Sequence, residues 1–436
     1  MTDDLIEARL RHYGEWLDEA TRGFDRGDVR GRSAPPSPNR RRRLVALAAA
    51  AAVLVAVGVG TSMALRSDST HGNVEFGAAD QAQAQKWEAL AQPPIAHNLP
   101  AVVWTGREMI AWGINYPSRF TPPTDGAAYN PTTRTWRKLS PAPDGLAGFT
   151  HAAWTGDRVV IVVEPTSDRA TTAAATYDPD TDTWELLPPG PITNFGRSSS
   201  AWTGDELVIV NSDPYRDYAT PGVVALNPST GRWRELTGLD GYSGLEVTGT
   251  LWDGNELLIG GRLACPEPSC VEARPIVIAF DPIVDRAREI ALPPTVANRQ
   301  DSTASPEAAT DHDALFSFST QINSDPSDLF RYDIATGTWS SVPQQECLTD
   351  EFFKQATLVG PSGAPFHLWA CGANGLLRYD AAHGRFQKFG GPGPFMIQYA
   401  RGVWTGRDLI LWSHAAIAPR GTSIPEVATS RPLESG

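Results

Sequence analysis

A short phrase built on Trp-Thr-Gly constrains this chain more than any other feature. It stands at Trp104-Thr105-Gly106, Trp154-Thr155-Gly156, Trp202-Thr203-Gly204 and Trp404-Thr405-Gly406, and Trp252-Asp253-Gly254 repeats it with Asp for Thr. The first four tryptophans in chain order are 50, 48 and 50 residues apart, and the step to the last is 152, about three more periods. A period near 50 means one supersecondary unit stacked many times. After each phrase comes a strand-like apolar run, such as Met109-Ile110-Ala111-Trp112, Val159-Val160-Ile161-Val162 or Leu257-Leu258-Ile259-Gly260-Gly261.

A second phrase fills the interval. It reads Tyr129-Asn130-Pro131 through Trp136, then Tyr177-Asp178-Pro179 through Trp184. It returns at Leu226 to Trp233, Phe280 to Ala287, Tyr332 to Trp339 and Tyr379 to Phe386, always seven residues from first to last position. The physics is that of a hairpin. The Asx side chain accepts from nearby backbone amides, and Pro fixes φ. Gly231, Gly337 and Gly384 fall late in the turn, where positive φ costs Gly little. The closing aromatic opens the next strand, and the repeat tryptophans read as buried core.

These phrases resemble the kelch repeat, within the galactose-oxidase-like propeller superfamily, in a membrane-anchored bacterial form. Kelch repeats place a Gly-Gly after an apolar strand, then a Tyr, then a Trp. Here the full pair survives at Gly260-Gly261, and Trp112-Gly113 is a partial match. The resemblance covers residues 83–416 and implies an all-β fold, a β-propeller of seven four-stranded blades. Six Tyr-to-Trp hairpins are present. The seventh opening strand, Val403 to Trp412, has no hairpin after it, and Lys86-Trp87-Glu88-Ala89-Leu90 matches a final strand with no blade before it. The two ends are expected to complete one composite blade, with the Trp87 strand outermost, which leaves no open sheet edge.

Residues 44–65 form an uncharged run of 22 residues, LVALAAAAAVLVAVGVGTSMAL, preceded by Arg40 to Arg43. At 1.5 Å per residue it reaches roughly 33 Å, the depth of a bilayer core. The positive-inside rule then places residues 1–43 in the cytoplasm and the rest outside. A cleaved leader is the alternative, and Thr61-Ser62-Met63-Ala64 has small residues a peptidase accepts, but the preceding stretch and the apolar run are both too long for one. Residues 1–43 are net +2, so the remainder of the −13 chain is net −15. That excess of acid disfavours nucleic acid as a partner.

The flanking segments complete the expected organisation. Residues 3–24 read as a short amphipathic helix, with Ile6, Leu10, Tyr13, Leu17 and Phe24 on one face. It reads either as a helix lying on the membrane or as a docking element for a cytoplasmic partner. The Arg-rich linker to residue 43, a stalk over 66–82 and a loose tail over 417–436 follow from composition.

Four cysteines, Cys265, Cys270, Cys347 and Cys371, suit disulfides in an extracytoplasmic domain. Cys265 and Cys270 bracket the loop CPEPSC, and Cys347 and Cys371 are candidates for a second bridge. A four-thiolate metal site lacks the paired Cys-x₂-Cys spacing, and free thiols are the remaining reading.

No catalytic or phosphate-binding motif is found, and no cofactor or metal is expected. Asp311-His312-Asp313 reads as a solvated turn. The ligand-binding candidates lie in the loops that lead into each blade's innermost strand: His97, His151, Arg197, Tyr242, Arg299, Tyr399 and Arg401. The expected function is a non-enzymatic, membrane-anchored binding or sensing module for an extracytoplasmic protein or glycan. The alternative is a carbohydrate-active or oxidase-like enzyme using the same loop face.

Overall fold

The computed structural model describes residues 87–95, 100–113, 125–165, 171–192, 196–212, 220–264, 273–299, 302–309, 312–320, 328–342, 367–371, 375–380, 385–390, 401–414 and 425–430. Residues 3–24 and 44–65, Cys265, Cys270, Cys347, His97, Tyr399 and Gly384 lie outside them, and Cys371 is described in backbone alone. Among the described residues no helix is long and apolar enough to cross a membrane.

The chain opens with β1 (Trp87–Ala89) and then runs through a series of antiparallel meanders. The first is β2 (Ala101–Trp104), β3 (Met109–Trp112), β4 (Gly126–Asn130) and β5 (Thr135–Lys138). The second is β6 (Thr150–Trp154), β7 (Val159–Val163), β8 (Thr172–Asp178) and β9 (Thr183–Gly190). The third is β10 (Arg197–Trp202), β11 (Leu207–Ser212), β12 (Gly222–Asn227) and β13 (Arg232–Leu236). The fourth is β14 (Leu245–Trp252), β15 (Leu257–Leu263), β16 (Arg274–Asp281) and β17 (Arg286–Glu289), followed by the single-turn helix α1 (Pro294–Ala297). The fifth is β18 (Ser302–Ala309), β19 (Asp313–Thr320), β20 (Asp328–Asp333) and β21 (Thr338–Val342). Then come the three-stranded β22 (His367–Cys371), β23 (Gly375–Asp380) and β24 (Arg385–Gly390), and finally β25 (Arg401–Trp404), β26 (Leu409–His414) and β27 (Pro425–Ser430).

The last sheet has the order β25-β26-β27-β1, with Trp87, Glu88 and Ala89 opposite Ser430, Thr429 and Ala428. The Trp87 strand is therefore the outermost member of a sheet begun more than 300 residues later, as the unpaired phrases require. Residues 425–430 correct the sequence reading. They were expected in a loose tail, and they are the third strand of the closing sheet. The segment lacks the repeat's aromatic and Asx-Pro signals, so nothing local marked it; pairing on both sides holds it.

Each Trp-Thr-Gly phrase is a hairpin turn. The Thr105 hydroxyl accepts from the Glu108 N–H at 2.9 Å and donates to the Glu108 carbonyl, while Gly106 has φ +88°. Thr155 and Thr203 act in the same way, Thr405 accepts from the Asp408 N–H, and Asp253 substitutes a carboxylate. In the second phrase the Asn130 carboxamide accepts from the amides of Thr132 and Thr133, and Asp178 from those of Asp180 and Thr181. Gly231 and Gly337 take positive φ as expected, and so do Arg134, Asp182 and Asp285 at the same turn position.

Every residue of β7 is buried, Val159 to Val163. Val159, Ile161 and Val163 pack toward the first meander, and Val160 and Val162 toward the third. A middle strand covered on both faces explains the unbroken apolar runs that follow each phrase. The closing sheet joins in the same way, with Val403, Ile410 and Trp412 against Met109 and Tyr129. First strands of successive meanders are neighbours, β2 with β6, β6 with β10, β10 with β14 and β14 with β18, and β25 lies beside β2.

The repeat tryptophans are half-buried rather than fully buried. Trp136, Trp184 and Trp233 are each partly exposed, and their indole N–H groups donate to backbone carbonyls in or just past the last strand of the preceding sheet. The Gly-Gly pair has a steric reason: a Cβ on Gly260 would stand 2.4 Å from Pro306 Cδ, and one on Gly261 2.3 Å from the Glu246 carbonyl oxygen.

Candidate functional site

In an antiparallel meander the start of the first strand and the end of the second share one end. At that end the described sheets depart from apolar sequence. His151 is the second residue of β6, Glu164 follows β7, and both are buried. Ser198 and Ser200 project from β10 toward them. His151 Nε2 is 3.1 Å from Glu164 Oε1 and 3.0 Å from Ser198 Oγ, and its Nδ1 is 3.0 Å from Ser200 Oγ. The Ser198 hydroxyl donates to Glu164. With the proton on Nε2, the imidazole donates toward Glu164 and Ser198 and accepts from Ser200. The network joins two neighbouring sheets and leaves no member of this quartet without a partner.

The next sheet boundary carries an ion-pair chain. The buried Glu246, second residue of β14, takes Arg197 from β10 on one side and Arg262 from β15 on the other. Ser212, at the end of β11, accepts from the Val247 amide at 3.0 Å. Ser199 and Thr250 share a hydrogen bond at 2.9 Å across the same boundary.

The predicted residues separate into kinds. His151 enters the buried network and Arg197 the ion-pair chain. Arg299 pairs with Asp328 and donates to the Thr295 carbonyl at 2.9 Å, so it braces α1. Tyr242 packs on the core of the third and fourth sheets, and burial, with Glu289 nearby, raises its hydroxyl above the usual tyrosine range. Arg401 opens β25, and burial holds it below the usual arginine range. Asp313 corrects the solvated-turn reading: it is buried at the start of β19 and ion-paired to Arg331 at 2.5 Å. Among the described residues no group of His, Cys, Asp and Glu could hold a metal ion.

Glu164, Ser198, Ser200, Glu246 and Arg262 were not singled out from sequence. A signal existed. Glu164, Ser212 and Arg262 each stand ten residues after the Trp of their phrase, and His151, Ser199 and Arg401 three before it. Aligning the repeats on that Trp exposes two polar columns where apolar strand residues are the rule.

No family model matches the chain, and no curated protein matches it. Among solved structures it is similar to the β-propeller domain of the Trilobed protease from Pyrococcus furiosus, described as having an open velcro topology, at 9% identity over 76% of this chain and 95% of that one, with a TM-score of 0.48. It is also similar to an oligogalacturonate lyase in complex with manganese, at 9% identity over 80% of this chain and 97% of that one, with a TM-score of 0.51. The second likeness and the run of four-stranded antiparallel sheets show the fold, an all-β propeller. At this identity they show nothing of chemistry.

Proposed function

We propose that this chain is a kelch-type propeller of seven blades that works as a binding module, held at the outer face of a membrane by residues 44–65 and binding an extracytoplasmic protein or glycan. The observation that carries the reading is the gathering of polar and charged side chains, His151, Arg197, Ser199 and Arg401, at the starts of first strands. The opposite end is built from short, self-satisfied Asx turns. Arg401 supplies a desolvated cation there, suited to an acceptor group on a ligand. The seven sheets among the described residues and the Tyr-to-Trp spacing support the blade count and the kelch type. The acidic remainder and the even cysteine count, with bridges between Cys265 and Cys270 and between Cys347 and Cys371, fit an extracytoplasmic setting.

Photo-crosslinking in intact cells tests the reading. A crosslinker at Ser199 or Arg401 gives adducts, and one at Thr132 or Ser229, in the turns, gives none. Adducts from the turns alone contradict it. A protease added outside spares residues 1–43 if the anchor is correctly assigned.

A second reading, hydrolysis, is favoured by one arrangement: Glu164, His151 and Ser200 stand in carboxylate–imidazole–hydroxyl order. A fluorophosphonate probe that labels Ser200, and fails on His151→Ala, would select it.

A further inference from the structure

The boundary between the second and third meanders departs from its neighbours. At the boundary before it, Arg137 donates to the Pro179 carbonyl at 3.3 Å, and the Ser140 amide donates to Asp182 at 3.0 Å. At the boundary after it, Arg234 donates to the Pro282 carbonyl at 3.1 Å, and the Thr237 and Gly238 amides donate to Asp285. Between them, Glu185 stands at the arginine's position, Pro188 at that of Ser140 and Thr237, and Gly231 at that of the Asp. Pro has no N–H to give, and Gly no carboxylate to receive one. In place of those bonds is a cleft of about 420 Å³ between β9 and the β12–β13 turn. Its charged groups are open to solvent. The Glu185 side chain is 64% exposed, and Arg158 donates to one of its oxygens at 2.6 Å. Asp157, also exposed, adds a second carboxylate, so two carboxylates stand against one guanidinium along the lining. Leu186, Leu187 and Pro188 supply an apolar wall. Trp233 still donates to the Pro188 carbonyl at 2.9 Å, which ties the two sides of the cleft together.

We infer that this cleft binds a small alkylguanidinium, which supplies from outside the cation that Arg137 and Arg234 supply from within the chain at the adjoining boundaries. A guanidinium is planar and carries five donors, a match for carboxylate oxygens that an ammonium lacks. Glu185 has a second oxygen beyond the one that Arg158 uses, and Asp157 adds to the negative field. The exposed Leu186 suits the guest's alkyl portion. The volume falls within the range of small-molecule sites. The site lies at the turn end and does not depend on the binding face proposed above. A guest this small puts no protein or glycan adduct on a crosslinker at Ser229.

The test uses the full chain. Saturation-transfer NMR is recorded with n-butylguanidinium, and with n-butylammonium, urea and acetate for comparison. The guanidinium binds most tightly of the four, and Glu185→Gln weakens it by about fivefold, the upper end for one exposed ion pair. Exchanging the pair, Arg158→Glu with Glu185→Arg, puts a guanidinium back at position 185. That variant keeps a melting temperature close to the parent's and loses the ligand. No binding of n-butylguanidinium by the parent overturns the inference. So does tighter or equal binding of n-butylammonium, urea or acetate, or undiminished binding by the exchanged variant. Unchanged affinity in Glu185→Gln overturns it as well, and that variant, altered at an exposed side chain, decides alone if the exchanged one fails to fold.

Discussion

The indole N–H of Trp136 donates to the carbonyl of Ala91 at 2.8 Å, linking the first meander to the residue that follows β1. The same bond recurs at one sheet's remove: Trp184 to Ser140, Trp233 to Pro188 and Trp339 to Ala291, at 2.8–3.0 Å. The repeat tryptophan is thus a latch between neighbouring sheets, and the sheet closed by β1 stands to the first meander as each sheet stands to the next.

The latch has a measurable strength. Trp184→Phe keeps a ring against Tyr177, whose centroid lies 4.8 Å from the indole's, but loses the bond to Ser140. It should cost about 0.5–1.5 kcal/mol, the net worth of one hydrogen bond. Trp184→Ala loses the packing too, yet should fall short of the ~3–5 kcal/mol of a fully buried tryptophan. Denaturant melts of the two variants check the order. An unchanged Trp184→Phe would show the bond to be idle.

A charge pair repeats around the sheets, with one reversal. Arg137 pairs with Glu108, Arg234 with Glu206 and Arg288 with Glu256. In the second meander the signs exchange, and Arg158 pairs with Glu185 at 2.6 Å. Double-mutant cycles should give a coupling of about 0.2–1 kcal/mol for the exposed Arg158–Glu185 pair. The coupling should be larger for Arg137–Glu108, where Glu108 is buried and Arg137 also bonds Tyr177. Swapping Arg158 and Glu185 together should restore most of what either single reversal loses.

Truncation after residue 424 removes β27, leaving β1 without a partner and β26 paired with β25 alone. The loss should exceed about 4 kcal/mol, in the range reserved for broken structural units. Thermal melts of the truncated chain check this; a melting temperature within a degree or two of the parent would deny β27 its place.

Acid should loosen the contacts between sheets. The Asp285 carboxylate accepts from the amides of Thr237 and Gly238 at 2.8–3.0 Å, across a sheet boundary. Burial works to raise its pKa, but those donors and Arg234 outweigh it and hold it below the usual carboxylate range. Asp182 is lowered likewise: burial opposes, and the Ser140 amide, the Tyr177 hydroxyl and Arg137 prevail. A carboxyl whose pKa is depressed by folding stabilises above its unfolded value, near 3.9, and ceases to as pH falls through the folded value. Asp285→Asn keeps a residue tolerant of the positive φ at this position. It should melt lower than the parent at neutral pH, with the gap closing below about pH 4. A gap constant with pH would remove the charge from the explanation.

The repeats made most of the fold legible. The seven-residue spacing from Tyr129 to Trp136 and its copies fixed the outer hairpins, and the unpaired Trp87 phrase foretold the closing partner. β27 was illegible because it carries none of the repeat's signals and one of its two partners, β1, lies more than 300 residues away in sequence. The site was legible in part. His151 and Arg401 stood out by chemistry and Glu164 stands in a polar column of the aligned repeats, whereas Ser198 gains meaning only when β6 and β10 are laid side by side.

Closure by the two chain ends is the claim on which the rest depends, and one cross-link tests it. Glu88 and Thr429 face each other across β1 and β27. Cross-strand Cα atoms about 4.5–5.5 Å apart lie within disulfide reach. With cysteine at both positions, mild oxidation of the folded chain should yield a peptide joining 88 to 429, identified by mass spectrometry after digestion, and a raised melting temperature. Pairing 88 with a cysteine at Thr132 should yield no such bridge. If residue 88 fails to join 429, or joins 132 as readily, the ends do not meet in one sheet and the propeller is not closed in this way.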